Sequence, residues 1–488
     1  MQRIFCSWAF LAIRCGLLVV FSTGFGLAAP SPARPNLLLI IADDLGYADL
    51  GCQGAADLHT PHIDRLAAQG VRCTTGYVSA PHCSPSRAGL LTGRHQARFG
   101  HEANATDRQE ARMETYGLPL TEKTIADHLK SAGYRTGLIG KWHLGRKPAF
   151  HPLRRGFDQF TGILEGSCPY VRQPSGEFRG LLQGEQPARV EGDYLTEVFT
   201  DEAVRFIETK DAAPFFLVVS YNAPHTPMQA PERCLSRFPH IADSKRRTFA
   251  AMMAALDDGV GRLVETLKKN GLYENTLIVF VSDNGGPTND NTSLNTPFSG
   301  GKASMFEGGL RVPFIWHWPG NLPVGNTYDA VVSSLDFGAT ALSLAGIKQP
   351  EGRGALDGVD LMPYLSGRRS GVPHDYLLLR WGPFFVARHG NYKLIQLRAD
   401  STLTEFYDLS TNPQELLSQQ ADNRAVRDRM EQRLIVWQKQ LVTPSWGNTN
   451  LGPIKGYLKR HGLPGTDEEA RRIYETFMGI SINHTIPD

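Results

Sequence analysis

Three apolar segments that each open into a polar turn constrain the fold of this chain more than any other feature of its sequence. They are NLLLIIADD at 36–44, APFFLVVSYNAPH at 213–225 and NTLIVFVSDNGG at 275–286. Short continuous apolar runs are typical of strands buried on both faces of a parallel sheet. Helical patterns lie between them, at 193–209 and 253–267. The alternation predicts an α/β fold with a large, mainly parallel sheet sandwiched by helices.

The polar residues that follow these strands are candidates for one shared site. Asp43 and Asp44 end the first segment, His225 ends the second, and Asp283 and Asn284 belong to the turn after the third. Ligands of parallel α/β sheets bind at the carboxyl ends of the strands. We therefore expect these side chains to converge in one crevice, although about 240 residues of chain separate them.

The oxygen-rich composition of this expected cluster suits a hard cation such as Ca2+ or Mg2+. An isolated Asp43-Asp44 pair more often caps a helix or forms a turn, and that interpretation stays open. If the three carboxylates converge, however, they repel each other and raise each other's pKa unless a cation is present. The glycines at 285 and 286 also favour a ligand, because they let the main chain approach a bound ion.

The character of the sequence changes after about residue 370. Short strand-like pieces follow, and then a helical pattern with one apolar face, formed by Val426, Met430, Leu434, Trp437 and Leu441. These elements predict a small antiparallel sheet with one helix. Because a single core rarely grows beyond roughly 250 to 300 residues, we expect a large α/β domain at 29–370 and a C-terminal α+β domain at 371–488.

Residues 1–28 have the composition of a signal peptide. Arg3 precedes an apolar stretch, and the segment ends in small residues that suit cleavage after Ala28. A membrane anchor is the alternative, but Arg14 divides the apolar stretch and leaves it shorter than the roughly 20 residues of a spanning helix. We expect an exported protein with no stable membrane span. It would be periplasmic or secreted in a bacterium, and lysosomal or extracellular in a eukaryote.

Cleavage there leaves the chain formally neutral, because it removes two of 51 basic residues and none of the 49 acidic ones. A neutral balance with no Lys/Arg run gives no long-range attraction to nucleic acid or to an anionic membrane. Any anion that this protein binds must therefore be recognised by a local pocket. The sequence leaves the oligomeric state open.

Five cysteines remain after cleavage, and one of them has an unusual setting. Cys83 stands among small and polar residues in APHCSPSRAGLLTGR, with Arg87 four positions on. A structural thiol normally has apolar neighbours, so this setting indicates chemistry. The spacing does not suit a zinc cluster. The other four could form up to two disulfides in an oxidising compartment, in any of three pairings: Cys52, Cys73, Cys168 and Cys234.

Two further segments carry cationic candidates. GYRTGLIGKWHLG at 133–145 is strand-like and ends in Lys141 and His143, which could point to one side of an extended chain. Lys302 lies in a Gly-rich turn whose flanking residues do not match a phosphate-binding loop. Taken alone, each is more often a solvated charge or a structural histidine.

Together, these segments resemble the type I sulfatases of the alkaline phosphatase superfamily, over nearly the whole chain after the signal. The most specific element is CSPSR at 83–87 followed by LLTGR, which is similar to the signature that directs conversion of the cysteine to Cα-formylglycine. The segment at 133–143 is similar to the second signature of the sulfatase family. One departure is His82, where the family more often has an aliphatic or small residue. The resemblance implies an alkaline phosphatase-like fold and an arylsulfatase-like sulfuric ester hydrolase, matured by a formylglycine-generating enzyme.

The resemblance also implies roles for the site residues. The modified cysteine attacks sulfur, while Arg87, Lys141 and Lys302 balance the charge of the transferring group. His225 and Lys302 protonate the leaving alcohol, and His143 takes the proton that allows sulfate to be expelled. Ca2+, with Mg2+ as the alternative, is bound by five residues: Asp43, Asp44, Cys83 in its modified form, Asp283 and Asn284.

Two other functions stay open. Phosphodiesterases and phosphonate monoester hydrolases of the same superfamily also use formylglycine, and a non-catalytic protein that binds sulfated glycans would keep Cys83 as a thiol. An exported neutral hydrolase meets polysaccharides, so a sulfated carbohydrate is the expected substrate. The position of the sulfate and exo or endo action stay open. His95, Arg98 and His101 follow the signature and are candidates either for substrate contacts or for ordinary loop residues.

Overall fold

The structure is a computed structural model, and it describes residues 34–104, 115–398, 402–447 and 450–479. The predicted signal peptide lies outside the described residues. The strands are β1 (Asn36–Ala42), β2 (Val71–Cys73), β3 (Gly76–Tyr77), β4 (Arg135–Lys141), β5 (Gln159–Ile163), β6 (Leu182–Gln183), β7 (Gln186–Pro187), β8 (Phe215–Ser220), β9 (Thr276–Ser282), β10 (Phe314–His317), β11 (Asn326–Tyr328), β12 (Val332–Ser333), β13 (Leu377–Trp381), β14 (Phe384–His389), β15 (Tyr392–Arg398) and β16 (Thr402–Asp408).

The helices of the described residues alternate with these strands. They are α1 (Pro61–Ala68), α2 (Cys83–Thr92), α3 (Ile125–Ser131), α4 (Leu195–Glu208), α5 (Glu232–Leu235), α6 (Ser244–Lys269), α7 (Thr288–Asn291), α8 (Glu307–Leu310), α9 (Asp336–Leu344), α10 (Met362–Leu365), α11 (Arg424–Gln438), α12 (Gly452–Arg460) and α13 (Asp467–Met478).

The three apolar segments of the sequence form neighbouring strands in the middle of a ten-stranded sheet, whose order is β11-β2-β10-β9-β1-β8-β4-β5-β6-β7. The five central strands, from β9 to β5, are parallel. Most of the pairings outside them are antiparallel. The predicted α/β class with a large, mainly parallel sheet is confirmed.

The core lies on both faces of this sheet, as the apolar runs predict. On β1, Leu37 and Leu39 face a cluster that includes residues of α2, α3 and α9. The alternate residues Leu38 and Ile40 face a second cluster with α1, α4 and α6. Successive side chains of a strand point to opposite faces, so a strand covered on both sides is apolar at every position.

Close packing between β4 and β8 depends on one glycine. Gly140 has φ 112°, and a Cβ atom there would lie 1.9 Å from the carbonyl oxygen of Ser220. Only glycine fits such a contact without moving the main chain. Because β4 can therefore pair fully with β8, Lys141 ends at the same edge of the sheet as the polar turn after β8.

The strands β13 to β16 form the separate antiparallel sheet that the sequence predicts. Helix α11 packs on it through Val426, Met430, Leu434 and Trp437, which are all buried. Leu441 lies beyond the end of α11 and is partly buried against the same cluster. The domain boundary near residue 370 stays a prediction.

Two further observations bear on the sequence analysis. The possible disulfides are not formed, because Cys52, Cys73, Cys83, Cys168 and Cys234 are all free.

Within the described parts of the chain, no helix combines the length and the apolar character that a membrane crossing requires.

Candidate active site

The turns after β1 and β9 bring the acidic residues of the sequence together. Asp44 N donates to Asp283 Oδ1 at 3.2 Å, and Asn284 Nδ2 donates to Asp44 Oδ1 at 2.7 Å. Strands β1 and β9 are paired in register along their whole length, so both turns begin at the same level. Asp43 and these three residues are fully buried. The chain thus places four metal-type ligands in one cluster.

The cluster has the properties of a site for a hard cation. Asp43 Oδ1 and Asn284 Oδ1 are buried and have no hydrogen-bond partner among the described residues. Burial and the neighbouring charge of Asp43 raise the pKa of Asp283 to about 7, although Arg87 opposes the rise. Unpartnered oxygens in an acidic cluster are the donors that Ca2+ and Mg2+ bind. Ligand atoms within 4.8 Å of one another come from four residues: Asp43, Asp44, Cys83 and His225.

Each carboxylate of the cluster also contacts a cationic side chain. The shortest distances are 2.6 Å from Lys141 Nζ to Asp43 Oδ2, 2.8 Å from Lys302 Nζ to Asp44 Oδ2, and 2.8 Å from Arg87 Nε to Asp283 Oδ2. Burial alone would raise the pKa of Asp43, but Lys141 and other nearby cations outweigh it and lower the pKa. Three carboxylates and three cations balance, so a bound divalent cation would make the site positive and suited to an anion.

Arg87 is held rigidly and still has one unused donor. Its Nη1 donates to Ser220 Oγ at 2.6 Å and to the Lys141 carbonyl at 3.2 Å. Its Nη2 is buried and has no hydrogen-bond partner among the described residues. A buried guanidinium N–H without a partner is costly, and an anionic ligand would satisfy it.

Cys83 is the first residue of α2 and lies beside the acidic cluster. Its Sγ is 3.9 Å from Asp44 Oδ1, and the side chain is buried. Burial raises the pKa of the Cys83 thiol to about 12, although Lys141 and Lys302 oppose the rise. The unmodified residue is therefore a protonated thiol at neutral pH, which makes it a poor nucleophile.

His143 reaches the site through a turn that the sequence analysis did not anticipate. Its φ is 58°, so the chain is not extended here, and the expectation that Lys141 and His143 share one side of an extended strand is wrong. The imidazole ring of His143 packs against the main chain at Gly166. A Cβ atom at residue 166 would lie 2.7 Å from this ring, so only glycine leaves room for it. Burial and the charge of Lys141 lower the pKa of His143.

His225 and His143 both line an open cavity of about 750 Å3. His225 Nδ1 lies 2.6 Å from the Thr226 carbonyl, and its Nε2 lies 3.4 Å from Asp44 Oδ2. Burial lowers the pKa of His225, although Asp44 opposes this. Polar and charged residues form part of the remaining wall: Asn104, Arg146, Glu165, Ser167 and Arg179.

Several residues around the site have roles that the sequence did not indicate. Ser84 Oγ lies 2.7 Å from the His143 carbonyl and 2.6 Å from His101 Nε2, so His101 is a buried support. Asn291 Nδ2 donates to the main-chain oxygen of Asp44 at 3.0 Å. His82 packs against Trp381 of β13, with ring centroids 5.7 Å apart. Such contacts join segments distant in sequence, so no local pattern could have revealed them.

The other candidates for substrate contacts do not line this cavity. His95 is buried, and its main-chain N donates to Asp357 Oδ2 at 2.8 Å. Arg98 forms an ion pair with the same aspartate. Both residues, in the segment that follows α2, thus contact Asp357, and Arg98 and Asp357 are only partly buried.

Comparison with known families and sequences gives a consistent result. Residues 35–347 match the family model described as Sulfatase, and residues 300–440 match the one described as N-sulphoglucosamine sulphohydrolase, C-terminal. The N-acetylgalactosamine-6-sulfatase of Mus musculus is 37% identical over 403 residues, which cover 77% of this chain and 75% of that protein. The uncharacterized sulfatase YdeN of Escherichia coli strain K12 is 32% identical, over 74% of this chain and 71% of that one.

Comparison with solved structures extends the similarity to nearly the whole fold. The crystal structure of Ps i-CgsB in complex with k-i-k-neocarrahexaose is 35% identical, with a TM-score of 0.77. The alignment covers 90% of this chain and 99% of that one.

Proposed function

This chain belongs to the sulfatase family, and we propose that it is a metal-dependent carbohydrate sulfatase whose nucleophile is made from Cys83. One observation carries the proposal: Cys83 begins a buried helix and lies 3.9 Å from an acidic cluster whose carboxylates contact three cations. A hydrolase of anionic esters needs such a combination of a nucleophile position, ligands for a metal and positive charge.

The modification of Cys83 to formylglycine is supported by the state of its thiol. With a pKa of about 12, the thiol is protonated and buried, and its hydrogen-bond partner among the described residues is Asp44 of the acidic cluster. Formylglycine in its hydrated form supplies a hydroxyl nucleophile, and oxygen is a better neighbour for a hard cation than sulfur. A formylglycine-generating enzyme would therefore be a maturation partner.

Five residues would hold the divalent cation: Asp43, Asp44, Asp283, Asn284 and Cys83 in its modified form. When bound, the cation supplies electrostatic stabilisation of the charge that develops on the transferring group. The donor set is all oxygen, which favours Ca2+ with Mg2+ as the alternative.

The cationic side chains of this chain would bind the sulfate group and orient it. Arg87 offers its unused Nη2, and Lys141 and Lys302 place ammonium groups at the same cluster. The resemblance to sulfatases assigns to His225 and Lys302 the donation of a proton to the leaving oxygen. His143 has a buried Nδ1 without a hydrogen-bond partner among the described residues, which suits a proton acceptor.

The carbohydrate part of the substrate would occupy the cavity that His143 and His225 line. Its volume of about 750 Å3 accommodates a saccharide, and its wall carries the side chains of Arg146, Glu165 and Arg179. The names of similar proteins support this substrate class, because one acts on N-acetylgalactosamine 6-sulfate by its name and another is in complex with k-i-k-neocarrahexaose. Export of the protein, which a polymeric substrate would require, rests on the predicted signal peptide.

Expression together with a formylglycine-generating enzyme, followed by two measurements, tests this function. Peptide mass spectrometry of residues 83–87 should show formylglycine, and sulfate release should be measured on a panel of defined sulfated saccharides. Hydrolysis of an aryl phosphodiester faster than of the matched aryl sulfate would favour the phosphodiesterase alternative. Unmodified Cys83 in protein purified from its native host, together with binding of a sulfated glycan, would favour the non-catalytic alternative.

A further inference from the structure

The turn that carries Lys302 is held at both ends by the C-terminal sheet. We define this Lys302 turn as residues 299–307. At its beginning, Ser299 Oγ donates to the Gln414 carbonyl, and at its end Glu307 N donates to Glu415 Oε2 at 2.6 Å. Gln414 and Glu415 belong to the loop that follows β16. The Lys302 turn of the large domain is therefore anchored by a loop of the C-terminal sheet.

A single buried lysine joins these two glutamates. Lys393 of β15 places its Nζ 2.9 Å from Glu307 Oε1 and 2.8 Å from Glu415 Oε1. All three side chains are fully buried. Tyr77 also donates its hydroxyl hydrogen to Glu307, at 2.6 Å from Oε2. A buried ion pair with good geometry constrains position strongly, because breaking it leaves an uncompensated charge away from water.

The middle of the Lys302 turn is fixed against the nucleophile segment. Ala303 N donates to the Pro81 carbonyl at 2.7 Å, two residues before Cys83. Lys302 N donates to the Gly286 carbonyl at 3.3 Å. A lysine side chain is long and flexible, so its ammonium group keeps one position only if its main chain is fixed. The main chain of this turn is fixed by the nucleophile segment on one side and by Lys393 on the other.

We propose that Lys393 is a positioning residue for Lys302. By pairing with Glu307 and Glu415, Lys393 fixes the Lys302 turn and thereby the ammonium group that faces Asp44. This inference rests on the proposed function, in which Lys302 contributes a proton to the leaving alcohol. The small C-terminal sheet would accordingly be needed for catalysis as well as for stability.

Leaving-group dependence tests this role. An alcohol of high pKa needs protonation as it departs, whereas 4-nitrophenol departs readily as an anion. In Lys393→Met, we expect kcat for 4-methoxyphenyl sulfate to fall by about 10-fold more than kcat for 4-nitrophenyl sulfate. Lys393→Arg keeps the charge, so the ratio of kcat for 4-methoxyphenyl sulfate to kcat for 4-nitrophenyl sulfate should return most of the way to the wild-type value. Rates are normalised to the formylglycine content measured by mass spectrometry.

Arg380→Met is the matched control. Arg380 of β13 is a buried cation that pairs with Glu102, so it also joins the small sheet to the large domain, but it does not contact the Lys302 turn. Its loss should lower both rates by the same factor. If Lys393→Met does not fold, the same measurements are made on the double variant Lys393→Met/Glu415→Gln. This variant removes one charge of each sign and so leaves the carboxylate of Glu415 out of the buried cluster.

Each outcome has one meaning. A Lys393→Met protein that loses both activities equally overturns the positioning role and leaves the proposed function intact. The same holds if Arg380→Met changes the ratio of the two rates as much as Lys393→Met does. A wild-type protein that contains formylglycine yet releases sulfate neither from these esters nor from the panel of sulfated saccharides overturns the proposed function and this inference with it.

Discussion

Lys302 Nζ lies 2.8 Å from Asp44 Oδ2, although 258 residues separate the two in the chain. The neighbouring carboxylate has its own ammonium partner, because Lys141 Nζ lies 2.6 Å from Asp43 Oδ2. Burial lowers the pKa of Lys302, but Asp44 outweighs this effect and raises it well above the usual value, so the ammonium group is charged at neutral pH. Each aspartate of the acidic pair thus contacts an ammonium group, and these positive charges favour the binding of an anion.

Lys302→Met should reduce turnover in a way that depends on the leaving group. Because it removes a proton donor, we expect roughly 100-fold slower release of sulfate from a saccharide and a smaller loss with 4-nitrophenyl sulfate. Steady-state kinetics on both substrates measures this. Lys245→Met is the control, because Lys245 is exposed and donates to the Asn289 carbonyl outside the site. Equal losses on the two substrates would exclude a proton-donor role.

Asp283→Asn should weaken binding of the divalent cation. It removes one carboxylate charge from the cluster while keeping the size of the side chain, so we expect Ca2+ affinity to fall at least about 100-fold. In the wild-type protein, Ca2+ should raise the unfolding temperature after treatment with a chelator, since the ion binds the folded state. Asp49→Asn, which alters a buried aspartate that pairs with Arg246 outside the cluster, should keep this response. An unchanged Ca2+ response in Asp283→Asn would contradict the assignment.

Cys83→Ala should abolish turnover while the protein still folds. The substitution removes the precursor of the nucleophile, and loss of a nucleophile costs roughly 10⁴-fold or more in kcat. Sulfate release and thermal unfolding are measured together. Cys234→Ala removes another buried free thiol and should retain activity. Retention of wild-type activity by Cys83→Ala would eliminate the proposed mechanism.

Arg179→Ala should affect saccharide substrates selectively. Arg179 lines the cavity beside His143 and His225, so loss of its charged hydrogen bonds should raise KM for a sulfated oligosaccharide about 10-fold. KM for a small aryl sulfate, which does not fill the cavity, should not change. Arg154→Ala is the control, because Arg154 is an exposed residue that pairs with Glu185. A parallel rise of KM for both substrates would argue against saccharide binding there.

His374 should make stability depend on pH. It lies 2.9 Å from both carboxylate oxygens of Asp336, and although burial lowers the pKa of His374, Asp336 outweighs it and raises the pKa above 6.5. A raised folded-state pKa gives stabilisation that is present below pH 6.5 and lost as pH rises through the folded value. His374→Gln should therefore lower the free energy of unfolding by about 2 kcal/mol at pH 6 and by less at pH 9.

Denaturant unfolding at both pH values measures this difference. His59→Gln, at an exposed position, is the control and should change stability little at either pH. A larger destabilisation of His374→Gln at pH 9 than at pH 6 would reverse the expected sign and refute the ion pair with Asp336.

Much of the fold follows from local patterns. The central residues of strands β1, β8 and β9 are all apolar because both faces of the sheet are covered. Helix α11 shows its buried face as a repeat of Val426, Met430, Leu434 and Trp437. The turn at His143 could not be predicted in this way. Its φ of 58° leaves no local signature, and the space for its ring depends on Gly166, a neighbour in space rather than in sequence.

The sequence by itself determined the residue types of the site and their places at strand ends, because burial and strand direction leave a local signature in the chain. Only the tertiary structure decided which charges face each other: Lys302 with Asp44, Arg87 with Asp283, and Lys393 with Glu307 and Glu415. These pairings join different strands and loops. Ion pairing acts through distances of a few ångströms in space, and no periodicity along the sequence records those distances.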